Sequence, residues 1–449
     1  METESYRIAA DTYLDHRISV PLDRSGALAD TITVFAREIV RDGQEKSPRL
    51  VFFQGGPGSP APRPAPLSGW LDWALGHYRV VLFDQRGTGA STPIDADVVL
   101  ARGDSEAQAD FLSCFRADSI IADAEDLRRE LQGDEPWHVL GQSYGGFINT
   151  AYLSIAPEGL ASVMITAGLP AVTEHAIETY RRTWPLTEKR NREMYETFPG
   201  LRERAWNVAV HLEEYDERLV TGERLTPARM RMLGIVLGYS YGPQTLHFLF
   251  EDPFVTINGE KRLNSRFLTQ ASEKLSFAGN PIYGILHESI YAGTAPGPTQ
   301  WAAHRARAEF PLFAIPGTEE SQFGTEREAR DADMDLLFSG EHVFPWQMTE
   351  DPALAPIADA VNLVAGRDFD SLYNLDVLAE NTVPSSGWVY WDDMFVPASL
   401  SLDTAQRING FKPILTNDYH HDGLRMDGAT LLERMHSVNQ ENMRQHLRG

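Results

Sequence analysis

The sequence predicts an α/β protein built on a mainly parallel, doubly wound sheet. The continuous apolar run at 50–53 is typical of a strand that is buried on both faces of a parallel sheet, and the segments 78–83 and 160–168 are also strand-like. A stretch at 118–132 instead places its apolar residues three and four positions apart, which indicates a helix. Strands that alternate with helices along a chain favour the doubly wound architecture.

The remaining elements divide the chain into three predicted parts. Residues 1–170 form the first part of the α/β core, beginning with strand-like segments between 15 and 53. Residues 171–350 are rich in charged helical stretches and form a mostly helical cap inserted before the last strands. Residues 351–449 complete the core, with strands at 386–391 and 412–417 and a terminal helix over 429–447.

Composition narrows the classes of partner. The 449 residues are 42% apolar and carry a formal net charge of −24, which disfavours binding to nucleic acid or to an anionic membrane. The apolar stretches are too short to span a bilayer.

A single cysteine, Cys114, permits no intramolecular disulfide, and the first residues lack the pattern of a secretory leader, so we expect a cytoplasmic protein.

A serine stands in a tight turn between a predicted strand and a predicted helix. The turn is Gly-Gln-Ser-Tyr-Gly (141–145), preceded by two apolar residues and followed by a helical stretch at 147–153. Such a strained turn exposes a serine hydroxyl above the sheet and requires neighbours without a Cβ. We therefore predict that Ser143 is a nucleophile.

Two more glycine-rich loops follow strands, at 54–58 and 84–91. Because the carboxyl ends of parallel strands meet at one edge of the sheet, all three loops are expected to converge there. An oxyanion needs two N–H donors, one from the residue after the nucleophile and one from an early loop. These are predicted to be Tyr144 and Gly56.

A serine nucleophile also needs a histidine base and a carboxylate, which follow it in the chain order serine, acid, histidine. His420 and His421 come just after the last predicted strand. We choose His421, which is two residues before a glycine that can turn the chain over the site.

The acid has three candidates. Asp368 follows an apolar run, but the run has helical spacing, and an aspartate after a helix would not lie at the edge of the sheet. Asp392 and Asp393 follow the strand-like run 388–391. We choose Asp393, with Asp392 as the alternative, because the segment from Asp393 to His421 has room for one helix and one strand.

These motifs together resemble the longer form of the prolyl aminopeptidases (proline iminopeptidases), serine peptidases of the α/β-hydrolase fold. The resemblance rests on Gln-Gly-Gly-Pro-Gly (54–58), Asp-Gln-Arg-Gly-Thr-Gly-Ala-Ser (84–91), Gly-Gln-Ser-Tyr-Gly-Gly (141–146), Asp-Asp-Met (392–394) and His-Asp-Gly (421–423). Shorter members carry histidine where Gln54 stands. That loop acts through its backbone, so the change should not alter the chemistry.

The resemblance implies release of an N-terminal residue, typically proline, from peptides with a free N-terminus, without a metal or other cofactor. In the family, cap glutamates bind the substrate ammonium group, and this role carries over to Glu288 and, less directly, to Glu341. Trp301, Phe338 and Trp346 are candidates either for a pocket around a proline ring or for the core. The alternatives are an esterase or amidase of the same fold, and a binding protein that has lost catalysis.

Overall fold

The computed structural model describes residues 1–63 and 67–446. Its strands are β1 (Glu2–Ile8), β2 (Asp11–Pro21), β3 (Thr31–Arg41), β4 (Arg49–Phe53), β5 (Arg79–Asp84), β6 (Trp137–Gln142), β7 (Leu160–Thr166), β8 (Phe254–Ile257), β9 (Glu260–Leu263), β10 (Ser385–Tyr390) and β11 (Lys412–Thr416).

Within the described residues, nine of these strands form one sheet in the order β1-β2-β3-β5-β4-β6-β7-β10-β11. The first four strands in that order pair antiparallel. From β5 to β11 every pairing is parallel. The predicted mainly parallel sheet is therefore confirmed. Its carboxyl edge holds the ends of β4, β5, β6 and β10.

The helices, in chain order, are α1 (Gly69–Leu75), α2 (Ala96–Leu100), α3 (Ser105–Ser113), α4 (Ala117–Gln132), α5 (Tyr144–Ile155), α6 (Ala176–Thr197), α7 (Pro199–Glu214), α8 (Pro227–Arg231), α9 (Gly242–Leu249), α10 (Ser265–Leu275), α11 (Pro281–Leu286), α12 (Ala302–Arg307), α13 (Glu326–Asp331), α14 (Pro345–Glu350), α15 (Ala358–Ala365), α16 (Leu375–Ala379), α17 (Ala398–Arg407) and α18 (Gly423–His446). Short 3-10 helices lie at Pro157–Gly159, Met232–Gly238, Glu288–Tyr291, Pro311–Phe313 and Ala355–Ile357.

The sheet is covered by helices on both faces. Along β4, Leu50 and Phe52 point into a core shared with α1 and α18. Val51 and Phe53 point into the larger core, which includes residues of α4 and α5. Because successive side chains of a strand alternate between faces, a strand buried on both sides must be apolar throughout. This explains why β4 was visible in the sequence as an unbroken apolar run.

Helices α6 to α16 lie between β7 and β10 in the chain and include the predicted cap segment. This segment also contains a small antiparallel hairpin, β8–β9, that the sequence did not indicate. Helices α15 and α16 continue past residue 350, and α15 packs against α3 of the core. The domain boundaries therefore stay a prediction, whereas the helical reading of the run before Asp368 is confirmed by α15.

The terminal helix α18 begins at Gly423, earlier than predicted, and has a non-helical backbone at Asp427. Residue 447, the predicted last residue of this helix, lies outside the described residues. None of the helices within residues 1–63 and 67–446 combines the length and the hydrophobicity needed to cross a bilayer.

Candidate active site

Ser143 is the single residue between β6 and α5, and its backbone is strained. Its φ of 55° and ψ of −125° lie in a region that residues with a Cβ rarely adopt. Its main-chain N–H is anchored by a 3.0 Å hydrogen bond to the Thr166 carbonyl oxygen at the end of β7. The structure thus places this serine at the apex of a sharp strand-to-helix turn, as the sequence predicted.

The glycines around Ser143 are required by close packing. A Cβ on Gly141 would lie 2.2 Å from the carbonyl oxygen of Gly145. One on Gly145 would lie 1.9 Å from the carbonyl oxygen of Phe53, at the end of β4. Neither glycine has a positive φ. The left-handed backbone therefore belongs to the serine itself, while its neighbours lack side chains so that α5 can approach the sheet.

Asp393 and His421 form a buried hydrogen-bonded pair. Oδ2 of Asp393 accepts from Nδ1 of His421 at 2.8 Å. Oδ1 of Asp393 accepts from the main-chain N–H groups of Phe395 at 2.8 Å and Val396 at 3.0 Å. Asp393 is 1% exposed, so its orientation is set by these donors and not by water. With Nδ1 occupied, Nε2 is the imidazole nitrogen that remains for a proton transfer.

The alternative residues at these positions face other partners. Asp392 forms an ion pair with Lys189 of the cap. Nδ1 of His420 lies 3.3 Å from the main-chain oxygen of Asp392. Neither residue takes part in the hydrogen-bonded pair formed by Asp393 and His421. This favours Asp393 over Asp392 as the acid and His421 over His420 as the base.

The protonation of His421 is set by nearby carboxylates. Burial by itself lowers the pKa of this imidazole, but Asp393 opposes it through charge and hydrogen bonding, with smaller effects of Glu341 and Asp422. The net result is a pKa above the ordinary value of histidine. An imidazolium formed during a reaction would therefore be stabilised at this position.

Of the two predicted oxyanion donors, Tyr144 directly follows the serine and Gly56 lies in the loop that packs against it. Tyr144 is the first residue of α5, and an N–H group in the first turn of a helix has no hydrogen-bond acceptor within that helix. Gly55 packs so closely on Ser143 that an added Cβ would be 2.8 Å from the serine Cβ. Gly56, with a φ of 124°, lines the same cavity as Ser143. The oxyanion role of Gly56 and Tyr144 stays a prediction.

A cavity of about 490 Å³ joins these groups at the carboxyl edge of the sheet. Ser143, His421, Gly56 and Glu341 all line it. Its apolar wall is formed by Phe52, Trp70, Ile235, Tyr239, Tyr283 and Leu424.

The aromatic residues proposed from the sequence are not part of that wall among the described residues. Phe338 is fully buried in the core, and Trp301 and Trp346 pack against it. The true wall combines residues from the sheet edge, α1, the cap and α18. No local sequence pattern identifies such a set, because its members come together only through tertiary packing.

Glu341 lies in the cavity, and its carboxylate is held by the cap. Oε1 of Glu341 accepts a 2.9 Å hydrogen bond from the Tyr283 hydroxyl. Nε2 of His287 lies 3.7 Å from the same oxygen. Burial works to raise the pKa of Glu341, but His287, His421 and Tyr283 together hold that pKa below its usual range. The structure thus supplies a buried carboxylate that is ionised at neutral pH.

Glu288 is more deeply buried than Glu341, at 2% exposure, and it is not among the described residues that line the cavity. Its Oε1 accepts a hydrogen bond from the main-chain N–H of Ala302. Its Oε2 has no hydrogen-bond partner within the described residues. Burial raises the pKa of Glu288 to about 7. The role proposed for Glu288 from the sequence stays a prediction.

The cap is hydrogen-bonded directly to the loop that carries His421. The main-chain N–H of His421 donates to the Gly238 carbonyl oxygen at 2.9 Å. Asp422 accepts from the Ser240 main-chain N–H at 3.0 Å and from its hydroxyl at 2.7 Å. Sequence reasoning gave no role to Gly238, Ser240 or Asp422, although Asp422 stood within a quoted motif. These bonds fix the histidine loop to the roof of the cavity.

The part of the chain that the structure describes brings together no group of three or more histidine, cysteine or acidic residues that could hold a metal ion.

Comparisons with known proteins agree with this geometry. The family described as having the α/β-hydrolase fold matches residues 48–232, which include the serine turn and both early glycine loops. A proline iminopeptidase of Aeromonas sobria is 40% identical over 430 residues, covering 95% of this chain and 96% of the relative. One of Aspergillus aculeatus is 30% identical over 438 residues, covering 95% of this chain and 93% of the relative.

A third match covers a smaller part of this chain. The proline iminopeptidase of Xanthomonas citri is 26% identical over 268 residues, covering 56% of this chain and 77% of the relative. The first two relatives instead align with almost the whole chain, cap included. Since their likeness extends through the serine turn, the cap and the loops of Asp393 and His421, this chain belongs to the proline iminopeptidase family of α/β hydrolases.

Proposed function

We propose that this chain is a serine exopeptidase that releases an N-terminal residue, preferentially proline, from peptides through an acyl-enzyme. The proposal is supported above all by one observation: the cavity shared by Ser143 and His421 also contains the buried carboxylate of Glu341. An exopeptidase must recognise a free ammonium group close to the scissile bond. A carboxylate in a poorly hydrated site attracts such a group far more strongly than one in water.

In the acylation step, Oγ of Ser143 attacks the carbonyl carbon of the N-terminal residue while its proton passes to Nε2 of His421. Asp393 keeps the imidazole in the required tautomer and stabilises the imidazolium. The N–H groups of Tyr144 and Gly56 donate to the oxyanion of the tetrahedral intermediate. The intermediate collapses when the amine of the second residue leaves with the proton from His421.

Deacylation repeats these steps with water as the nucleophile. His421 takes a proton from the water as it attacks the ester carbonyl, and returns it to Ser143 Oγ when the free amino acid leaves. The ring of an N-terminal proline would rest against the apolar wall of the cavity, and its ammonium would face Glu341. Cleavage after the first residue follows if Glu341 binds the ammonium of the residue whose carbonyl Ser143 attacks, because a peptide has only one free N-terminus.

The proposal is tested with a panel of reporter amides of proline, alanine and leucine, each with a free and with an acetylated N-terminus. We expect the free proline amide to be hydrolysed fastest and the acetylated amides to be hydrolysed poorly. Ser143→Ala should lower kcat by about a thousandfold or more. Hydrolysis of acetylated amides at the rate of the free ones would favour an esterase or amidase instead.

Two further outcomes would contradict the proposal. Wild-type rates in Ser143→Ala would remove the assigned nucleophile. Failure of the protein to react with a serine-directed phosphonate would favour a binding protein of the same fold. Because Cys114 is the only cysteine in the sequence, we also propose that the protein acts in a reducing compartment, the cytoplasm.

A further inference from the structure

The cavity carries opposite charges on its inner wall and at its surface. Glu341 is largely buried, with a side chain that is 14% exposed. Arg425, in the first turns of α18, also lines the cavity but is exposed to solvent. The mechanism proposed above makes no use of this arginine.

The charge of Arg425 is not neutralised by a neighbour. In residues 1–63 and 67–446, no carboxylate oxygen lies within 4.0 Å of its guanidinium nitrogens. The two acidic residues nearest to it in sequence have other partners: both oxygens of Asp422 accept hydrogen bonds from Ser240, and Oδ2 of Asp427 accepts one from the Tyr419 hydroxyl. The guanidinium instead lies against the face of Tyr239, 5.5 Å from the ring centroid. This contact holds the arginine at the wall of the cavity while leaving its donors open.

Tyr239 connects the two charges. It lines the cavity together with Glu341 and Arg425. Burial raises the pKa of the Tyr239 phenol to about 12, with Glu341 raising it further and Arg425 lowering it. One cavity is thus lined by a largely buried anion, Glu341, and an exposed cation, Arg425, together with Tyr239.

We propose that Arg425 binds the C-terminal carboxylate of short peptide substrates, so that it selects small peptides with a free C-terminus. The inference rests on the proposed exopeptidase function. It adds that the part of the substrate released as the leaving group is short and ends in a free carboxylate. A short peptide is a zwitterion whose ammonium and carboxylate are only a few residues apart. Its ammonium faces Glu341, and its carboxylate lies at Arg425.

The net negative charge of the protein explains why a single arginine can influence the binding of a substrate carboxylate. A free carboxylate that approaches a chain with a net charge of −24 is repelled by the general field. A guanidinium at the mouth of the cavity offsets that repulsion locally and offers a planar pair of N–H donors that match a carboxylate. An amidated peptide has no such charge and gains nothing from the arginine.

The test compares Pro-Gly, Pro-Gly-Gly and Pro-Gly-Gly-Gly, each as the free acid and as the C-terminal amide. For the length whose carboxylate reaches Arg425, the wild-type kcat/KM should favour the acid by about fivefold, as expected for an exposed ion pair. The preference should shrink as ionic strength rises, because salt screens an exposed pair. Hydrolysis of a proline reporter amide, which has no carboxylate, is measured for every variant as the reference.

In Arg425→Gln the ratio of acid to amide should fall to about one at every length, while Arg425→Lys should retain part of the preference. The matched control is Arg434→Gln, an exposed arginine further along α18 that does not line the cavity, and it should keep the wild-type ratio. An unchanged ratio in Arg425→Gln, or no preference for acids in the wild type, would overturn the role of Arg425 alone. A wild-type protein inactive on the proline reporter amide would overturn the proposed function as well.

Discussion

The carboxylate of Asp393 holds the Nδ1 of His421 at 2.8 Å through one oxygen and is itself held by main-chain N–H groups through the other. The two residues come from loops after different strands, β10 and β11, which are adjacent and parallel. Parallel neighbours end at the same edge of the sheet, so an acid and a histidine far apart in the chain meet there. Both members of the pair are held in place, since the main-chain N–H of His421 also donates a hydrogen bond to the Gly238 carbonyl oxygen.

Asp393→Asn should lower kcat by about a thousand- to ten-thousandfold, because an amide no longer fixes the imidazole tautomer or stabilises the imidazolium. It should also move the pH profile. His421 must be neutral to act as a base, so the wild-type rate rises with pH through a pKa that lies above the ordinary histidine value. Without the Asp393 charge this pKa falls, and the acid limb of kcat/KM should shift to lower pH.

The matched control for this variant is Asp392→Asn, which removes the neighbouring carboxylate that pairs with Lys189. It should retain nearly the wild-type rate and the wild-type acid limb. If Asp392→Asn lost activity and Asp393→Asn did not, the assignment of the acid would be reversed. Steady-state kinetics on the proline reporter amide between pH 5 and 9 would give both results.

Gly145→Ala should unfold or inactivate the protein, although the change adds one methyl group. The new Cβ would lie 1.9 Å from the Phe53 carbonyl oxygen, and neither the strand nor α5 can move without disturbing the serine turn. We expect a loss of about 3 kcal/mol or more in the free energy of unfolding, with greatly reduced activity. Urea denaturation and the reporter assay measure the two effects.

The control is Gly279→Ala, because no described atom lies within 4 Å of a Cβ at that position and its φ is not positive. Its free energy of unfolding should stay within about 0.5 kcal/mol of wild type. Equal stabilities of the two alanine variants would mean that α5 does not approach β4 as closely as described.

The sequence predicted the central parallel strands because they are buried and apolar, as in β4 and β5. It missed β1 because nearly every residue of that edge strand is exposed, so no apolar pattern marks it. It missed the β8–β9 hairpin for a similar reason, since β8 is exposed after its first residue. An apolar pattern in a sequence reflects burial, so a strand that is stabilised mainly by its backbone hydrogen bonds is hard to recognise from the sequence.

The same distinction applies to the site. That Ser143, Asp393 and His421 lie at one edge of the sheet was predictable, because each follows a strand and the sheet brings strand ends together; their catalytic roles stay a prediction. Glu341 was only a weak candidate, and Tyr239, Tyr283 and Arg425 were given no place in the cavity. Their positions depend on how cap helices pack over the sheet, which spacing along the chain does not encode. The resemblance to a family was needed to suggest any cap residue at all.

Glu341→Gln should weaken recognition of a free N-terminus more than Glu288→Gln does. Glu341 lines the cavity and has a lowered pKa, so it presents a charge to the substrate at neutral pH. Loss of a buried charge that pairs with the substrate ammonium should lower kcat/KM for the free proline amide by about 30-fold or more. Hydrolysis of an N-blocked ester should change little, since it has no ammonium group.

The two glutamine variants serve as controls for each other, because each removes one buried carboxylate of the cap. A loss confined to Glu288→Gln would show that the ammonium lies deeper in the cap than the cavity lined by Glu341. Equal losses in both, on free and N-blocked substrates alike, would indicate that the carboxylates support the cap structure and do not read the N-terminus.

Glu288→Gln should stabilise the protein at high pH. Burial raises the pKa of Glu288 from 4.5 to about 7 in the folded protein. The stability that this group contributes is therefore present below about pH 4.5 and is lost as the pH rises through 7, where a buried carboxylate must ionise. Glutamine keeps an oxygen for the Ala302 N–H but does not titrate.

Urea denaturation of both proteins should show this as a difference that depends on pH. Near pH 5 their free energies of unfolding should be similar, and by pH 8 the variant should be more stable by about 3 kcal/mol. A constant difference across this range would mean that Glu288 does not titrate there. If the stabilised variant also lost recognition of free N-termini, then Glu288 would be retained for binding at a cost in stability, as strained functional groups often are.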